Sequence, residues 1–146
     1  MGRVINPDTN GKRRNQLMRS SAEILRLLTQ KGAIDDESKD MLATLVYNFR
    51  EIDEGVEESA AAWEKRDYWM KAEEFRQRWN WAGYMAGQIT SVLVESKWDA
   101  LPQIMVKLLP RFADIKITKV KSKETEWVGS YARLAQEKSP LDKPTK

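Results

Sequence analysis

Lys12, Arg13, Arg14 and Arg19 crowd what reads as the start of a helix, and Arg3 lies on the segment before it. Lys116, Lys119, Lys121 and Lys123 recur at close spacing near the other end of the chain. Cations at a helix N-terminus oppose the macrodipole, so helix stability does not explain the first group. Both groups have the chemistry of phosphate neutralisation, the sequence-independent part of nucleic-acid binding. The competing use of the first group is ion pairing with an acidic neighbour. Residues 1–32 carry seven basic and two acidic groups, whereas residues 33–66 carry four and ten. Residues 67–97 balance at four each, and residues 98–146 carry ten basic and six acidic groups, within a net charge of only +3. The ends are basic and the stretch after the first helix is acidic, so either the fields cancel or the two ends face an anionic partner.

Other chemistries are scarce. The chain has no His and no Cys, which removes the Ser-His-Asp triad, the cysteine nucleophile, zinc-finger sites and the Glu-x-x-His pair of di-iron bundles. An enzyme would have to work with carboxylates, Lys, Tyr or Ser. Glu51, Asp53, Glu54, Glu57 and Glu58 are hard-cation ligands by type, but they spread around one helix with no Ca²⁺ loop and read as a solvated face. Gly11-Lys12 lacks the Gly of a phosphate loop at Asn6 and the Ser or Thr at Arg13, and no strand precedes it. Arg76, Arg78, Trp79, Asn80, Trp81 and Tyr84 interleave cations and aromatics, a mixture that stacks exposed bases. Trp79 and Trp81 also fit apolar helix stripes and are expected in the core, which leaves Trp69 and Tyr84 as the exposed aromatics. Gly83 and Gly87 form a Gly-x-x-x-Gly face suited to a tight helix crossing or a dimer contact.

Gly2-Arg-Val-Ile-Asn-Pro7, Gly11-Lys-Arg-Arg-Asn15 and Ala62-Trp-Glu-Lys-Arg66 resemble a family of uncharacterised small bacterial proteins associated with Chloroflexota. The resemblance spans most of the chain and implies no activity and no site residues.

The elements that must carry these groups are helical. Tyr68, Ala72, Phe75, Trp79, Ala82, Ala86, Ile89 and Leu93 step by four and three alternately, which places all eight on one stripe of a long helix. Trp81 joins Trp63, Met70, Met85 and Val92 on a second stripe. Leu42, Leu45, Phe49, Ile52, Val56 and Trp63 keep the same rhythm upstream. Asp35, Asp36 and Glu37 suit the start of that helix. Between the two, residues 64–66 are a polar break with Asp67 as a cap, which favours a hairpin over one continuous helix. A first helix is expected over residues 12–31, capped by Asp8 or Asn10 and stopped by a left-handed Gly32. Ser96 opens a weak capping box for a fourth helix with Pro102 in its first turn. Residues 115–121 read as extended, lying along the helices or free as an arm. Trp127, Tyr131 and Leu134 mark a short fifth helix of about three turns.

At 146 residues, 41% hydrophobic and 32% charged, the chain fits one water-soluble domain. No stretch approaches the roughly 18 apolar residues of a membrane span. The expectation is an all-α antiparallel bundle of four main helices plus a short C-terminal helix. It occupies residues 1–137, with 1–11 a basic arm and 138–146 a disordered tail. Its function is expected to be non-enzymatic, cytoplasmic and cofactor-free. Phosphates of DNA or RNA would be held by Arg3, Lys12, Arg13, Arg14, Arg19, Lys116, Lys119, Lys121 and Lys123. The alternative is a protein-interaction module or homo-oligomer using Trp69, Gly83, Tyr84 and Gly87.

Overall fold

A computed structural model describes residues 7–117, 119, 121 and 123–137, apart from the side chains of residues 7, 8 and 124. Arg3 and the expected tail at 138–146 lie outside the described residues. The described chain is all-helical: α1 (Pro7–Thr29), α2 (Asp36–Glu64), α3 (Trp69–Glu95), α4 (Leu101–Leu108) and α5 (Ser130–Ala135), with 3-10 turns at Trp98–Ala100, Leu109–Phe112 and Glu124–Glu126.

Helix α1 starts earlier than its apolar stripe suggests. Pro7 is its first residue, where a missing N–H costs nothing. Asn10 therefore sits inside the helix and does not cap it; its Nδ2 donates to Ser59 Oγ of α2 at 3.3 Å. The other end closes without a left-handed Gly32. Gln30 and Lys31 instead donate to Leu27 and Leu28 in 3-10 fashion.

Helix α2 is capped as its acidic start implies. The Asp35 carboxylate accepts from the Ser38 backbone N–H and from the Ser38 hydroxyl, each at 2.8 Å, and Lys31 Nζ lies 3.1 Å away. These three donors, in that order of effect, lower the Asp35 pKa from the ordinary 3.8 to about 2. A depressed carboxylate pKa stabilises the fold above the unfolded value and stops doing so as pH falls through the folded one. Asp35→Asn keeps an acceptor at the cap but cannot titrate. The urea midpoint of the wild type is therefore expected to exceed that of the variant at neutral pH, by a margin that shrinks between about pH 4 and pH 2. A margin independent of pH would refute the assignment.

The break after α2 is a true turn, so α2 and α3 are separate helices. Asp67 does not cap α3. It takes the left-handed position that ends α2, at φ 65°, with Tyr68 N–H donating to Trp63 O at 2.9 Å and Asp67 N–H to Glu64 O at 3.0 Å. This is the Schellman pattern with Asp where Gly is usual. Ser96 plays the same part at the end of α3, at φ 54° with Lys97 N–H on Val92 O. It is thus a terminator of α3 and not the cap of α4.

Helices α2 and α3 form the centre of the core. Trp63 meets Phe75 edge to face at 4.8 Å and Phe49 meets Trp81 at 5.4 Å. Arg76 reaches both Glu57 and Glu64, at 2.9 and 2.6 Å. Positions thus descend along α2 as they ascend along α3. Ala72, Ala82, Ala86, Ile89 and Leu93 of the expected seam are buried, and Phe75 and Trp79 are partly so. Tyr68 departs from the expectation: it is 55% exposed, because it belongs to the turn between α2 and α3. Met70, expected on the second stripe, is exposed near the same turn. Helix α5 has only six residues, not three turns. It lies along α2, where Ser130 Oγ and Thr44 Oγ1 share a buried hydrogen bond of 2.8 Å and Arg50 holds Glu137 at 3.0 Å.

Candidate functional site

The two basic groups separate in space into three different environments. Arg13 forms a forked pair with Glu51 of α2, Nη2 to Oε1 at 2.9 Å. Arg14 turns inward, its guanidinium carbon 4.8 Å from the Phe75 ring and 5.2 Å from the Trp79 ring. Its Nη1 is buried with no hydrogen-bond partner among the described residues, and burial lowers its pKa. Two of the residues expected on phosphate are therefore absorbed by packing between helices. The two residues point about 100° apart on the helix, so neighbours in sequence meet different surroundings. Lys12 is exposed on the same turns.

Arg19 behaves differently. Its Nη1 donates to the backbone oxygen of Lys116 at 3.5 Å, and one helical repeat later Arg26 Nη1 donates to Ile117 O at 2.9 Å. Between them Glu23, buried at 3% exposure, accepts from the backbone N–H of Lys121. Arg19, Glu23 and Arg26 step by four and three and so share one face of α1. Together they tie the segment after α4 onto that face. Ile115 and Ile117 pack against the core, while the intervening Lys116 and the following Lys119, Lys121 and Lys123 are exposed. Of the two readings open for residues 115–121, the one along the helices is observed at the described residues 115–117 and 121.

The result is a cationic strip of Arg19, Arg26, Lys116, Lys119, Lys121 and Lys123. Its acid, Glu23, is buried beneath, and Asp114 at one end and Glu124 and Glu126 at the other flank the lysines in sequence. Each arginine spends one of its five N–H donors on the strap as described. Arg26 and Glu23 were not among the residues expected from sequence, although their four-three spacing with Arg19 was the signal.

The expected interaction residues are scattered. Trp69 is 59% exposed at the α2–α3 tip and Tyr84 is 57% exposed in the middle of α3. Gly83 is buried. A Cβ at Gly87 would meet nothing within 4 Å, so no helix backbone approaches closely there and the tight crossing expected of Gly83 and Gly87 is absent at Gly87. Among the described residues, no group of three or more His, Cys, Asp or Glu is placed to hold a metal ion. Among Glu51, Asp53, Glu54, Glu57 and Glu58 of α2, Glu51 pairs with Arg13 and Glu57 with Arg76. No described helix is long and apolar enough to cross a membrane.

No family model, curated protein or solved structure matches this chain.

Proposed function

We propose that this chain is a non-enzymatic, antiparallel helical bundle that binds nucleic acid through phosphate contacts along the strip of α1 and residues 115–123. The observation that carries the reading is the strap itself. Arg19 and Arg26 bond backbone oxygens of the segment, so the exposed Lys116, Lys119, Lys121 and Lys123 stand on a stretch tied to a basic face of α1 whose acid, Glu23, is buried. Like charges brought together repel, and nothing in the packing of Ile115 and Ile117 requires lysine between and after them. A surface potential built this way attracts a polyanion and gives up its counterions on binding.

Arg13 and Arg14 leave the set of phosphate ligands, and Arg19 and Arg26 hold the strap, so that the four lysines make the phosphate contacts. Contacts of this kind position a nucleic acid without reading bases.

Fluorescence anisotropy with labelled duplex DNA and RNA tests it. Binding at about 50 mM salt that weakens by roughly 100-fold at about 200 mM is the expected result for some four lysine contacts. Absence of binding at the lower salt would end the proposal.

A further inference from the structure

Helix α3 contains a stretch unlike the rest of the chain. Residues 75–94 include no acid, in a sequence with 22 of them, and residues 101–113, which run through α4 and the turn after it, include none either. Where these two segments face each other lies a pocket of about 570 Å³, lined by Asn80, Trp81, Tyr84, Met85, Lys107 and Arg111. Its parts are of three kinds. Trp81, only 7% exposed, forms an aromatic floor that is fixed by Phe49 and Phe112. Tyr84 stands as an exposed ring at the side. Lys107 and Arg111 supply cations, the Arg111 guanidinium carbon lying 5.7 Å from the Trp81 ring centroid, and the Asn80 amide adds a donor and an acceptor.

Resting on the proposed function, we infer that this pocket takes an unpaired base of a single-stranded nucleic acid, stacked on Tyr84 with its phosphate beside Lys107 and Arg111. An exposed aromatic ring flanked by cations is the arrangement with which proteins hold single strands, because every base offers a π-face and every linkage a charge. A paired base cannot enter without leaving its duplex. In sequence, Arg111 of the pocket lies five residues before Lys116 of the strip, with the exposed Asp114 between them.

Tyr84 belongs to neither the strip nor the core, so its replacement tests the pocket alone. The probes are a short fluorescein-labelled oligothymidylate and a labelled duplex of matching length, read by anisotropy in the same buffer. Tyr84→Ala is expected to weaken oligothymidylate binding about tenfold or more while leaving the duplex within about twofold, and Tyr84→Phe to retain the wild-type affinity for both. Circular dichroism of each variant establishes that the helices persist. If Tyr84→Ala binds oligothymidylate as tightly as the wild type, or if both ligands weaken equally, the base pocket is wrong and the phosphate strip stands. If the wild type binds the duplex but not the single strand, the same conclusion follows. If the wild type binds neither, both proposals fall together.

Discussion

Replacing Lys116, Lys119 and Lys121 together by Ala is expected to weaken duplex binding a few hundredfold at about 0.1 M salt, whereas Arg14→Leu leaves it within about twofold. The size follows from counterion release. The observed binding constant scales as salt to the power of about −0.9 for each phosphate neutralised, so at about 0.1 M each contact is worth roughly eightfold, and three multiply. The slope of log K against log salt should become shallower by about 2.7 at the same time. All three lysines are exposed, so their loss leaves the core intact, and the Ile115 and Ile117 contacts and the Arg26 bond to Ile117 O keep the segment in place. Arg14 is the informative control because it is a cation by sequence and a packing group by structure. Its guanidinium covers Phe75 and Trp79 with one nitrogen unpartnered, and an aliphatic side chain of similar bulk removes that buried donor while keeping most of the cover. Equal losses from the lysine triple and from Arg14→Leu would mean that net charge, and not the strip, governs binding.

Phe49→Ala should cost about 3–5 kcal/mol of folding stability, the largest effect of any single change considered for this fold. Phe49 has no solvent exposure. Its ring centroid lies 5.4 Å from that of Trp81 and 6.2 Å from that of Phe112, so it joins α2, α3 and the turn after α4. Removing it opens a cavity bounded by two rings held by their own helices, which cannot collapse to fill it. For a domain of this size the melting temperature should drop by about 10 °C or more. Tyr68→Ala is the matching control: it removes an aromatic of the same sequence stripe, but one that is 55% exposed, and should change stability by no more than about 0.5 kcal/mol. Thermal unfolding followed by circular dichroism distinguishes these outcomes. Equal losses would mean that the stripe is buried along its whole length, against the exposed hairpin tip described above.

The contrast between those two residues shows what could be read from the sequence. A four-three rhythm fixes which side chains share a helix face, and Ala72, Ala82, Ala86, Ile89 and Leu93 obeyed it. It does not say where a neighbouring helix stops covering that face, so it assigns Tyr68 and Met70 to the inside although both are exposed near the turn. Turn chemistry was ambiguous for a related reason. Asp and Ser serve both as N-caps and, less often, as left-handed terminators, and a two-to-four-residue connection brings these positions next to each other. Asp67 and Ser96 took the terminating role because the following N–H groups reach back to Trp63 and Val92.

The basic strip was legible in composition but not in membership. Arg13, Arg14 and Arg19 look equivalent in one dimension. In space they face Glu51, the Phe75 and Trp79 rings, and the Lys116 carbonyl in turn. The strap depends on bonds between residues more than 90 positions apart, and no local pattern encodes such separations. The acid-free stretch of α3, by contrast, is visible in the letters alone. Its meaning required the second acid-free stretch of α4 to be placed opposite.

The salt dependence of duplex binding by the wild-type chain is the measurement on which this reading turns. Anisotropy titrations at several ionic strengths between about 50 and 200 mM should give log K falling linearly with log salt, with a slope of about −3 to −4 for the lysines on the strip. A slope near zero, or no binding at the lowest salt, would show that the cations gathered on α1 and residues 115–123 do not meet phosphate.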